Sequence, residues 1–554
     1  MLSQLGCSLK MSKLTVVMAQ MNPLVGDISG NAGAVVALSR DALREHAANV
    51  VMFPELVLTG YPPEDLLFRS SVDLRVARAL DTLRHELPPE LYVVIGYPRT
   101  TAVGLQNMAG VFYQGELIAE YAKIELPNYQ VFDEKRYFVP GNAACVIDMH
   151  GYKVALSVCE DIWHAGPTEL AVAAGAELML NINASPYHLG KHAERRNVVE
   201  RRALAGDMAI LYVNQCGAQD ELVFDGGSMA MGRDGALRMR APHFAEGLYP
   251  VTIARDEDQH VTISGGQLAP EPSTHECVYS ALVSGVRDYV NKNGFKGVVL
   301  GLSGGIDSAL TVAVAVDALG ADRVEAVMMP FRYTASMSIE DAEAEADNLG
   351  IRFSIISIEP MYETFTAALA AEFAGAPVDV TEQNIQARCR GVLLMAISNK
   401  KGYLVLTTGN KSEMAVGYST LYGDMAGGFD VLKDVPKTLV YELCRYRNTL
   451  SPVIPQRVID RPPSAELAPD QKDEDSLPPY DVLDQILERY IERDMSANAI
   501  IAEGYAAETV HRVIRLVDIN EYKRRQAPVG VRITTKAFGR DRRYPITSGW
   551  RAGE

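Results

Sequence analysis

The sequence is poor in the features that mark membrane-spanning and disulfide-stabilised proteins. It has seven cysteines, an odd number, and no C-x-x-C pair, which argues against a disulfide framework and against a cysteine zinc site. No apolar run approaches the roughly 20 residues that a spanning helix needs. The segment before Lys13 has no apolar core of the kind that a secretory signal requires. We therefore expect a reducing, cytoplasmic location and no membrane partner.

Basic residues are also in deficit. The chain of 554 residues has 53 Lys and Arg against 70 Asp and Glu, a formal net charge of −17. Nonspecific binding to nucleic acid needs clustered positive charge, so we expect no nucleic-acid partner. An anionic small substrate stays possible, because a pocket can be locally basic on an acidic protein. Hydrophobic residues make up 48% of the chain, enough for packed cores in two to four domains.

The first half of the chain alternates short β-rich runs with helical stretches, which predicts an α/β fold. Several of the β-rich runs are continuously apolar, as in strands that are buried on both faces. We predict strands at 14–20, 49–55, 91–97, 153–160, 177–183 and 209–215, and helices over 31–48 and 191–206.

A polar segment rich in Gly, Pro and charge covers 253–275 and predicts a linker between a domain at 13–252 and a second domain at 276–554. The second half then repeats strand, helix and strand at a spacing that predicts a parallel, doubly wound sheet. Its predicted strands lie at 297–302, 323–330, 353–358 and 403–409. The acidic, Pro-rich stretch 460–481 is too long for an ordinary connector, and we interpret it as a mobile lid or a disordered loop.

The strongest motif is an S-G-G-x-D-S sequence that follows a predicted buried strand and opens a helix. Glycines there let the backbone approach a pyrophosphate, and the helix N-terminus supplies free N–H groups. The motif is neither a Walker loop, since no G-K-[ST] follows, nor G-x-G-x-x-G. The alternative is a Gly-rich turn whose Asp and Ser cap the helix. The candidate phosphate-binding residues are Gly301, Leu302, Ser303, Gly304, Gly305, Ile306, Asp307 and Ser308.

A second predicted strand end carries the sequence T-T-G-N-K-S-E. It places Thr408 and Glu413 near the carboxyl edge of the sheet, where open α/β sheets bind nucleotides. Glu413 could simply cap its helix. Together with Asp307 on a neighbouring strand end, however, it predicts a shared Mg²⁺ site, because Mg²⁺ prefers one or two carboxylates plus phosphate oxygens and water.

These motifs resemble the N-type ATP pyrophosphatases, and residues 276–554 as a whole resemble the NAD synthetase domain. The resemblance is carried by SGGIDS, EQNIQARCR (382–390), TTGNKSE, YGDMAGGFD (422–430), RPPSAEL (461–467) and EYKRR (521–525). It implies an adenine nucleotide alpha hydrolase-like fold. It also implies a reaction in which ATP adenylates the carboxylate of deamido-NAD and ammonia then attacks the adenylated carboxylate. It further implies that 301–308 and Thr408 bind ATP, and that Asn384, Glu413 and Lys523 contact deamido-NAD.

Three residues at predicted strand ends of the first half form a second set. Alone, Cys159 is most simply a buried core thiol, Lys123 a solvated cation and Glu55 a helix-end carboxylate. In combination, with FPELVLTGYPPEDL, KIELPNYQVFDEKRYF, SVCEDIW and NASPYHLGKHAERR around them, they resemble the nitrilase, or carbon–nitrogen hydrolase, superfamily over 13–252.

The nitrilase resemblance implies an α-β-β-α sandwich and a glutaminase. Cys159 would be the nucleophile, Glu55 its base and Lys123 the cation beside the oxyanion, with Glu134 positioning Lys123. Glutamine would be held at the positions matched by Tyr129, Ser185 and Lys191. The resemblance also implies a homo-oligomer.

Together, the two resemblances imply that ammonia from glutamine is spent on the ATP-dependent amidation of deamido-NAD. We keep open another amidotransferase in which a nitrilase-like domain is coupled to an ATP pyrophosphatase. GMP and asparagine synthetases resemble other glutaminase types, with a catalytic Cys at residue 2 or in a G-x-C-x-G elbow, whereas residue 2 here is Leu and Cys159 sits in V-C-E. A free-standing amidase and a nonenzymatic nucleotide sensor are the remaining alternatives, and the intact motifs speak against both.

Overall fold

The computed structural model describes residues 13–469, 473 and 477–550. Its main division into two compact units lies between Pro272 and Ser273. Part of the stretch 460–481, namely 470–472 and 474–476, lies outside the described residues.

The first unit is built from two β-sheets with helices on their outer faces. Its strands are β1 (Leu14–Gln20), β2 (Val50–Met52), β3 (Tyr92–Thr101), β4 (Gly104–Tyr113), β5 (Glu116–Ala122), β6 (Val146–Met149), β7 (Tyr152–Val158), β8 (Leu178–Asn183), β9 (Ala209–Asn214), β10 (Cys216–Gln219), β11 (Leu222–Asp225), β12 (Met229–Met231), β13 (Leu237–Arg240), β14 (Gly247–Arg255) and β15 (Val261–Gly265). Its helices are α1 (Ile28–His46), α2 (Ser70–Glu86), α3 (Ala165–Ala173) and α4 (Lys191–Gly206), with short 3-10 turns at Glu64–Phe68, Glu134–Arg136 and Cys159–Trp163.

The two sheets have the orders β15-β14-β1-β2-β3-β4-β5 and β13-β12-β9-β8-β7-β6, and β10 pairs with β11. Strand alternation explains the layers. In β1, Val16 and Met18 pack between the two sheets, whereas Val17 and Ala19 pack in a separate core with α1 and α2. The second sheet packs its other face against α3 and α4. This arrangement is the expected α-β-β-α sandwich.

The predicted extent of the linker, 253–275, is wrong. Residues 253–275 contain the end of β14, all of β15 and the start of the next helix at Thr274. Ile253 and Val261 are buried in the core between the sheets. The segment looks polar because β15 is an edge strand with one solvated face, and because the turn that leads into it is rich in charge.

Gly96 in β3 marks a close approach of two backbones. A Cβ atom there would lie 2.3 Å from the Leu56 nitrogen and 2.8 Å from the Glu55 Cα. We expect Gly96→Ala to lower the free energy of unfolding by about 1–3 kcal/mol, because backbone atoms cannot yield as a flexible side chain can. Calorimetry should show a lower Tm for the first unit. Gly33→Ala is the matched control, because a Cβ at Gly33 meets nothing within 4 Å.

The second unit contains one parallel sheet surrounded by helices. Its strands are β16 (Val298–Gly301), β17 (Val324–Met328), β18 (Arg352–Ile355), β19 (Leu404–Thr407) and β20 (Phe429–Asp430). Its helices are α5 (Thr274–Lys292), α6 (Ile306–Leu319), α7 (Ser336–Leu349), α8 (Glu359–Leu369), α9 (Val380–Lys401), α10 (Lys411–Val416), α11 (Lys437–Leu450), α12 (Gln456–Asp460), α13 (Tyr480–Leu487), α14 (Ala497–Ala502), α15 (Ala507–Ile519) and α16 (Glu521–Arg524), with a 3-10 turn at Ala321–Arg323 and a π-helical turn at Glu488–Glu492.

The strand order of this sheet is β18-β17-β16-β19-β20, with every pair parallel. The chain therefore leaves β16 in one direction along the sheet and returns on its other side at β19. Such a reversal opens a crevice at the carboxyl ends of the two central strands, where doubly wound folds bind their ligands. The S-G-G-x-D-S loop follows β16 and Thr408 follows β19, so the predicted nucleotide residues lie at this crevice.

Candidate active sites

The first candidate site lies where three strands of the first unit end. Glu55 follows β2, Lys123 follows β5, and Cys159 follows β7 at the start of a 3-10 turn. All three side chains are buried, with 0%, 1% and 5% of their surface exposed. Charged groups are rarely buried unless they are paired, so the partners of these residues decide what the site can do.

Lys123 is paired with two carboxylates. Its Nζ donates to Glu55 Oε1 at 2.7 Å and to both carboxylate oxygens of Glu134 at 2.8 Å. Asn107 Nδ2 also donates to Glu55 Oε1, at 2.8 Å, and the backbone N–H of Ala184 donates to the other oxygen at 3.2 Å. The Glu55 carboxylate is therefore fixed in place by three donors.

Burial and neighbouring charges both shift the pKa values of these groups. Burial alone lowers the pKa of Lys123, but the charges of Glu134 and Glu55 outweigh it and hold that pKa above its usual value. Burial raises the pKa of Glu134 to about 7, against the opposing charge of Lys123. The pKa of the Cys159 thiol is raised by burial and by the charge of Glu55. The thiol is therefore protonated at rest and needs a base in order to become a nucleophile.

The backbone at Cys159 is held in a sharp turn. Its φ is 44°, a left-handed value that a non-glycine residue adopts rarely. Asp161 fixes the turn: it accepts from the N–H of Val158 at 3.0 Å and from the N–H groups of Ile124 and Glu125. One carboxylate thus ties the cysteine turn to the backbone just after Lys123.

The three residues predicted to hold glutamine lie around this site. Tyr129 is 48% exposed, and its hydroxyl donates to Glu160, the residue after Cys159, at 3.0 Å. Ser185 is buried beyond the end of β8. Lys191 begins α4, with its Nζ 3.9 Å from the ring centre of Trp163, and burial lowers its pKa.

Sequence reasoning missed several polar residues that complete the site. They include Asn107, which lies in the unpredicted strand β4, Asp161, and Arg195 on α4. Asp161 is part of the SVCEDIW motif, so proximity to Cys159 could have indicated it. No local signal marks Asn107, because its contact with Glu55 joins residues 52 positions apart.

The second candidate site begins with the loop between β16 and α6. Its serines hold its shape: the Ser303 backbone N–H donates to Ser308 Oγ at 3.2 Å, and Ser308 Oγ donates to the Gly305 carbonyl at 2.9 Å. Arg461 Nη2 donates to the Gly304 carbonyl at 2.6 Å. These hydrogen bonds fix the shape of the loop.

Gly304 is the position in this loop that only glycine fits. Its φ is 77°, and a Cβ there would lie 2.2 Å from the Ser338 carbonyl oxygen. We expect Gly304→Ala to weaken ATP binding at least about 10-fold, because the left-handed conformation and the clash together displace the loop. Calorimetric titration with ATP measures this. Gly320→Ala also places alanine at positive φ but in open space beyond α6, and it should leave ATP affinity unchanged.

Two carboxylates converge beside the loop. Lys437 Nζ contacts Asp307 Oδ2 and donates to Glu413 Oε1 at 3.2 Å, while Asn410 Nδ2 donates to Asp307 Oδ1 at 2.9 Å. Burial raises the pKa of Glu413 to about 8 despite the charge of Lys437. Asp473 adds a third negative charge to the surroundings of Lys437.

The carboxylates of Asp307 and Glu413 are ligands of the kind that a divalent cation takes; the charge of a bound cation would favour the ionised form of Glu413, and phosphate and water would supply the remaining ligands. Within the described ranges, no group of three or more His, Cys, Asp or Glu side chains is placed to hold a metal ion by itself.

The loop and the carboxylates line one cavity of about 730 Å³ in the second unit. Asn384 and Lys523 line it as well, with Lys523 Nζ donating to the carbonyls of Gly417 and Ser419 at 2.8 and 2.9 Å. Three of the predicted ATP residues lie outside the lining: Gly301, Leu302 and Gly304. The lining does include the other predicted residues, Ser303, Gly305, Ile306, Asp307, Ser308, Thr408, Asn384, Glu413 and Lys523.

Over the described residues, the helices are too short or too polar for any to cross a membrane.

Comparisons with known proteins identify a family for each unit. Residues 15–261 match the carbon-nitrogen hydrolase family and residues 278–527 match the NAD synthase family. The glutamine-dependent NAD(+) synthetase of Acinetobacter baylyi is 49% identical, over 98% of this chain and 99% of its own length. That of Xylella fastidiosa is 48% identical, over 97% of this chain and 99% of its own length.

Among solved structures, the glutamine-dependent NAD+ synthetase from Acinetobacter baumannii in complex with adenosine diphosphate is 45% identical. The match covers 98% of this chain and 100% of the Acinetobacter baumannii chain, with a TM-score of 0.79. The likeness thus runs through both units, and the chain belongs to the family of glutamine-dependent NAD(+) synthetases.

Proposed function

We propose that the first unit releases ammonia from glutamine and that the second unit spends it, with ATP, on converting the nicotinate carboxylate of deamido-NAD to the amide of NAD. The observation that carries this proposal is the presence in one chain of a buried Cys, Glu and Lys set and a nucleotide crevice with two carboxylates. A single activity would account for only one of the two sites. A free-standing amidase has no use for the crevice, and an ammonia-dependent synthetase has no use for the thiol.

In the glutaminase step, Glu55 takes the proton of the Cys159 thiol, and the thiolate attacks the side-chain carbonyl carbon of glutamine. The oxyanion that forms is stabilised by the buried Lys123 ammonium. Glu55 returns its proton to the departing nitrogen, so that ammonia leaves and a thioester remains. Water, deprotonated by Glu55, then releases glutamate and restores the thiol. Glu134 keeps Lys123 charged and in place.

Tyr129, Ser185 and Lys191 bind the amino-acid end of glutamine in this proposal. Their support is their position around Cys159 and their chemistry: a hydroxyl that is accessible to a ligand, a buried hydroxyl and a cation. A glutamine zwitterion needs both a donor and an acceptor at that end.

In the synthetase step, the loop 301–308 and Thr408 bind ATP, and Asn384, Glu413 and Lys523 contact deamido-NAD. The carboxylate of deamido-NAD attacks the α-phosphorus of ATP, and pyrophosphate leaves. Ammonia then attacks the adenylated carbonyl carbon, loses a proton, and AMP departs. Asp307 and Glu413 would hold Mg²⁺, which when bound neutralises charge on the phosphates. The N–H groups that open α6 orient the pyrophosphate.

We also propose that the enzyme acts in the cytoplasm as a homo-oligomer and binds neither nucleic acid nor membrane. The six described cysteines form no disulfide bonds with one another, as in a reducing compartment. Exposed apolar side chains on and beside α9, among them Val380, Val392 and Tyr422, supply a surface that a second copy could cover. Light scattering of the purified protein measures the subunit number.

The direct test of the function is pyrophosphate release in the presence of glutamine, ATP and deamido-NAD. The proposal expects sustained release only when ATP, deamido-NAD and a nitrogen source are all present, because ammonia must displace AMP before the next turnover, with one pyrophosphate per NAD formed. If pyrophosphate release does not depend on deamido-NAD, the chain serves another carboxylate substrate. The alternative, a different amidotransferase with the same two sites, would then be correct.

A further inference from the structure

Arg195 is a buried cation that the reaction described above does not use. It lies on α4, one turn after Lys191, and is 2% exposed. Its guanidinium makes three hydrogen bonds to Ser185 and Pro186. Nε donates to Ser185 Oγ at 3.1 Å, and Nη2 donates to the carbonyls of Ser185 at 2.7 Å and Pro186 at 2.9 Å. Burying a guanidinium is costly unless its donors are satisfied, and these three hydrogen bonds hold the segment at Ser185.

Asp225 supplies the countercharge. Its Oδ1 accepts from Arg195 Nη1 at 2.6 Å, and its Oδ2 lies 3.2 Å from His243 Nδ1. Both carboxylate oxygens are thus engaged, and Asp225 is 1% exposed. Although burial opposes ionisation, the charge of Arg195 holds the pKa of Asp225 below its usual range. The pair therefore stays ionised at neutral pH and fixes the direction of the guanidinium.

Ser185 is held from a second side as well. Its backbone N–H donates to Asn214 Oδ1 at 2.9 Å, and its carbonyl also accepts from Asn214 Nδ2 at 3.3 Å. A guanidinium can donate but cannot accept. Since Ser185 Oγ accepts from Arg195, its own proton points to a different partner, which is either the neighbouring buried hydroxyl of Tyr212 or a ligand. Arg195 thus determines the role of the hydroxyl as well as its position.

We propose that Arg195, anchored by Asp225, is a positioning residue that makes Ser185 a hydrogen-bond donor to the α-carboxylate of glutamine. This inference rests on the proposed glutaminase function and names the part of the substrate that Ser185 reads. The chemistry of the hydroxyl favours a carboxylate as the recognised group, because an α-carboxylate can accept its proton whereas an α-ammonium group cannot. Lys191 lies on the same face of α4 and contributes a cation there, although its Nζ also donates to Glu194 at 3.1 Å.

The test compares two substrates that differ only in this carboxylate: glutamine and 4-aminobutanamide. Ammonia release is measured for Ser185→Ala, Arg195→Lys, Asp225→Asn and the double variant Ser185→Ala/Arg195→Lys. Arg201→Lys is the matched control, since Arg201 is an exposed arginine of the same helix. The Tm of each variant reports whether the first unit is folded, because ammonium-dependent NAD formation depends on the second unit.

We expect Ser185→Ala and Arg195→Lys each to raise the KM for glutamine about 10- to 100-fold, with kcat changed far less, because an unpaired carboxylate in a buried site is penalised. The kcat/KM for 4-aminobutanamide should stay near its wild-type value. Asp225→Asn should shift the KM for glutamine in the same direction. Because Arg195 acts through Ser185, the double variant should behave as Ser185→Ala alone.

Three results would overturn the inference, and they are distinguishable. If Ser185→Ala raises the KM for glutamine but Arg195→Lys does not, Ser185 binds glutamine without help from Arg195, and the proposed function stands. If Ser185→Ala leaves the KM for glutamine unchanged, the glutamine-binding role of Ser185 fails as well. Equal losses for both substrates in Arg195→Lys would show a purely structural role for Arg195.

Discussion

Cys159→Ala should abolish NAD formation from glutamine, with a loss of at least about 10³-fold, and leave NAD formation from ammonium largely intact. The size of the loss follows from removing the nucleophile of a concerted set. Cys159 lies in the first unit, whereas the nucleotide crevice lies entirely in the second. Both activities are measured on one preparation as NAD formed per minute, with saturating glutamine or saturating ammonium.

Cys145→Ala is the matched control, because Cys145 is a half-buried thiol of the same unit with no part in the proposed chemistry. It should retain both activities. Glu55→Gln and Lys123→Met should behave as Cys159→Ala does, since base, cation and nucleophile act together. A folded Cys159→Ala protein that also lost ammonium-dependent synthesis would contradict the division of labour between the units.

Asp307→Asn and Glu413→Gln should impair NAD synthesis and spare glutamine hydrolysis. Each should reduce NAD formation from both nitrogen sources by about 10²- to 10³-fold, because each removes a charge that is proposed to hold Mg²⁺ on the pyrophosphate of ATP. Hydrolysis of glutamine to glutamate should continue at least at a basal rate. The measurement is a Mg²⁺ titration of NAD synthesis alongside a glutamate assay.

Both side chains contact Lys437, so the Tm of each variant must be followed to separate lost chemistry from lost stability. Asp322→Asn, at an exposed position after α6, is the control and should be unaffected. Normal rates for Asp307→Asn at limiting Mg²⁺ would show that the metal assignment is wrong.

Much of the fold follows from local sequence, because the strands that carry the sites are short, continuous apolar runs. The predicted helix over 191–206 coincides with α4, and the predicted strand at 14–20 coincides with β1. Local sequence failed at β15, which reads as a polar linker because one of its faces is solvated. It also missed β4, a largely buried strand that carries Asn107.

The site could be predicted only as far as its motifs reach. Glu55, Lys123 and Cys159 each stand at a strand end inside a motif, so the sequence indicated them. Arg195 lies inside the NASPYHLGKHAERR motif, but nothing local distinguishes it from the neighbouring Arg196, and Asp225 lies in no motif. The pairing of Arg195 with Asp225 joins positions 30 residues apart and depends on how α4 packs beside β11, a tertiary arrangement that no local pattern encodes.

Transfer of the glutamine amide nitrogen to NAD tests the central claim most directly. The wild-type enzyme is supplied with glutamine labelled with ¹⁵N at the side-chain amide, with ATP, deamido-NAD and Mg²⁺, and with unlabelled ammonium in the solution. The account predicts that NAD acquires ¹⁵N in its carboxamide, and that Cys159→Ala makes only unlabelled NAD from the ammonium. NAD without ¹⁵N from the wild-type enzyme, while labelled glutamine is hydrolysed to glutamate, would contradict it.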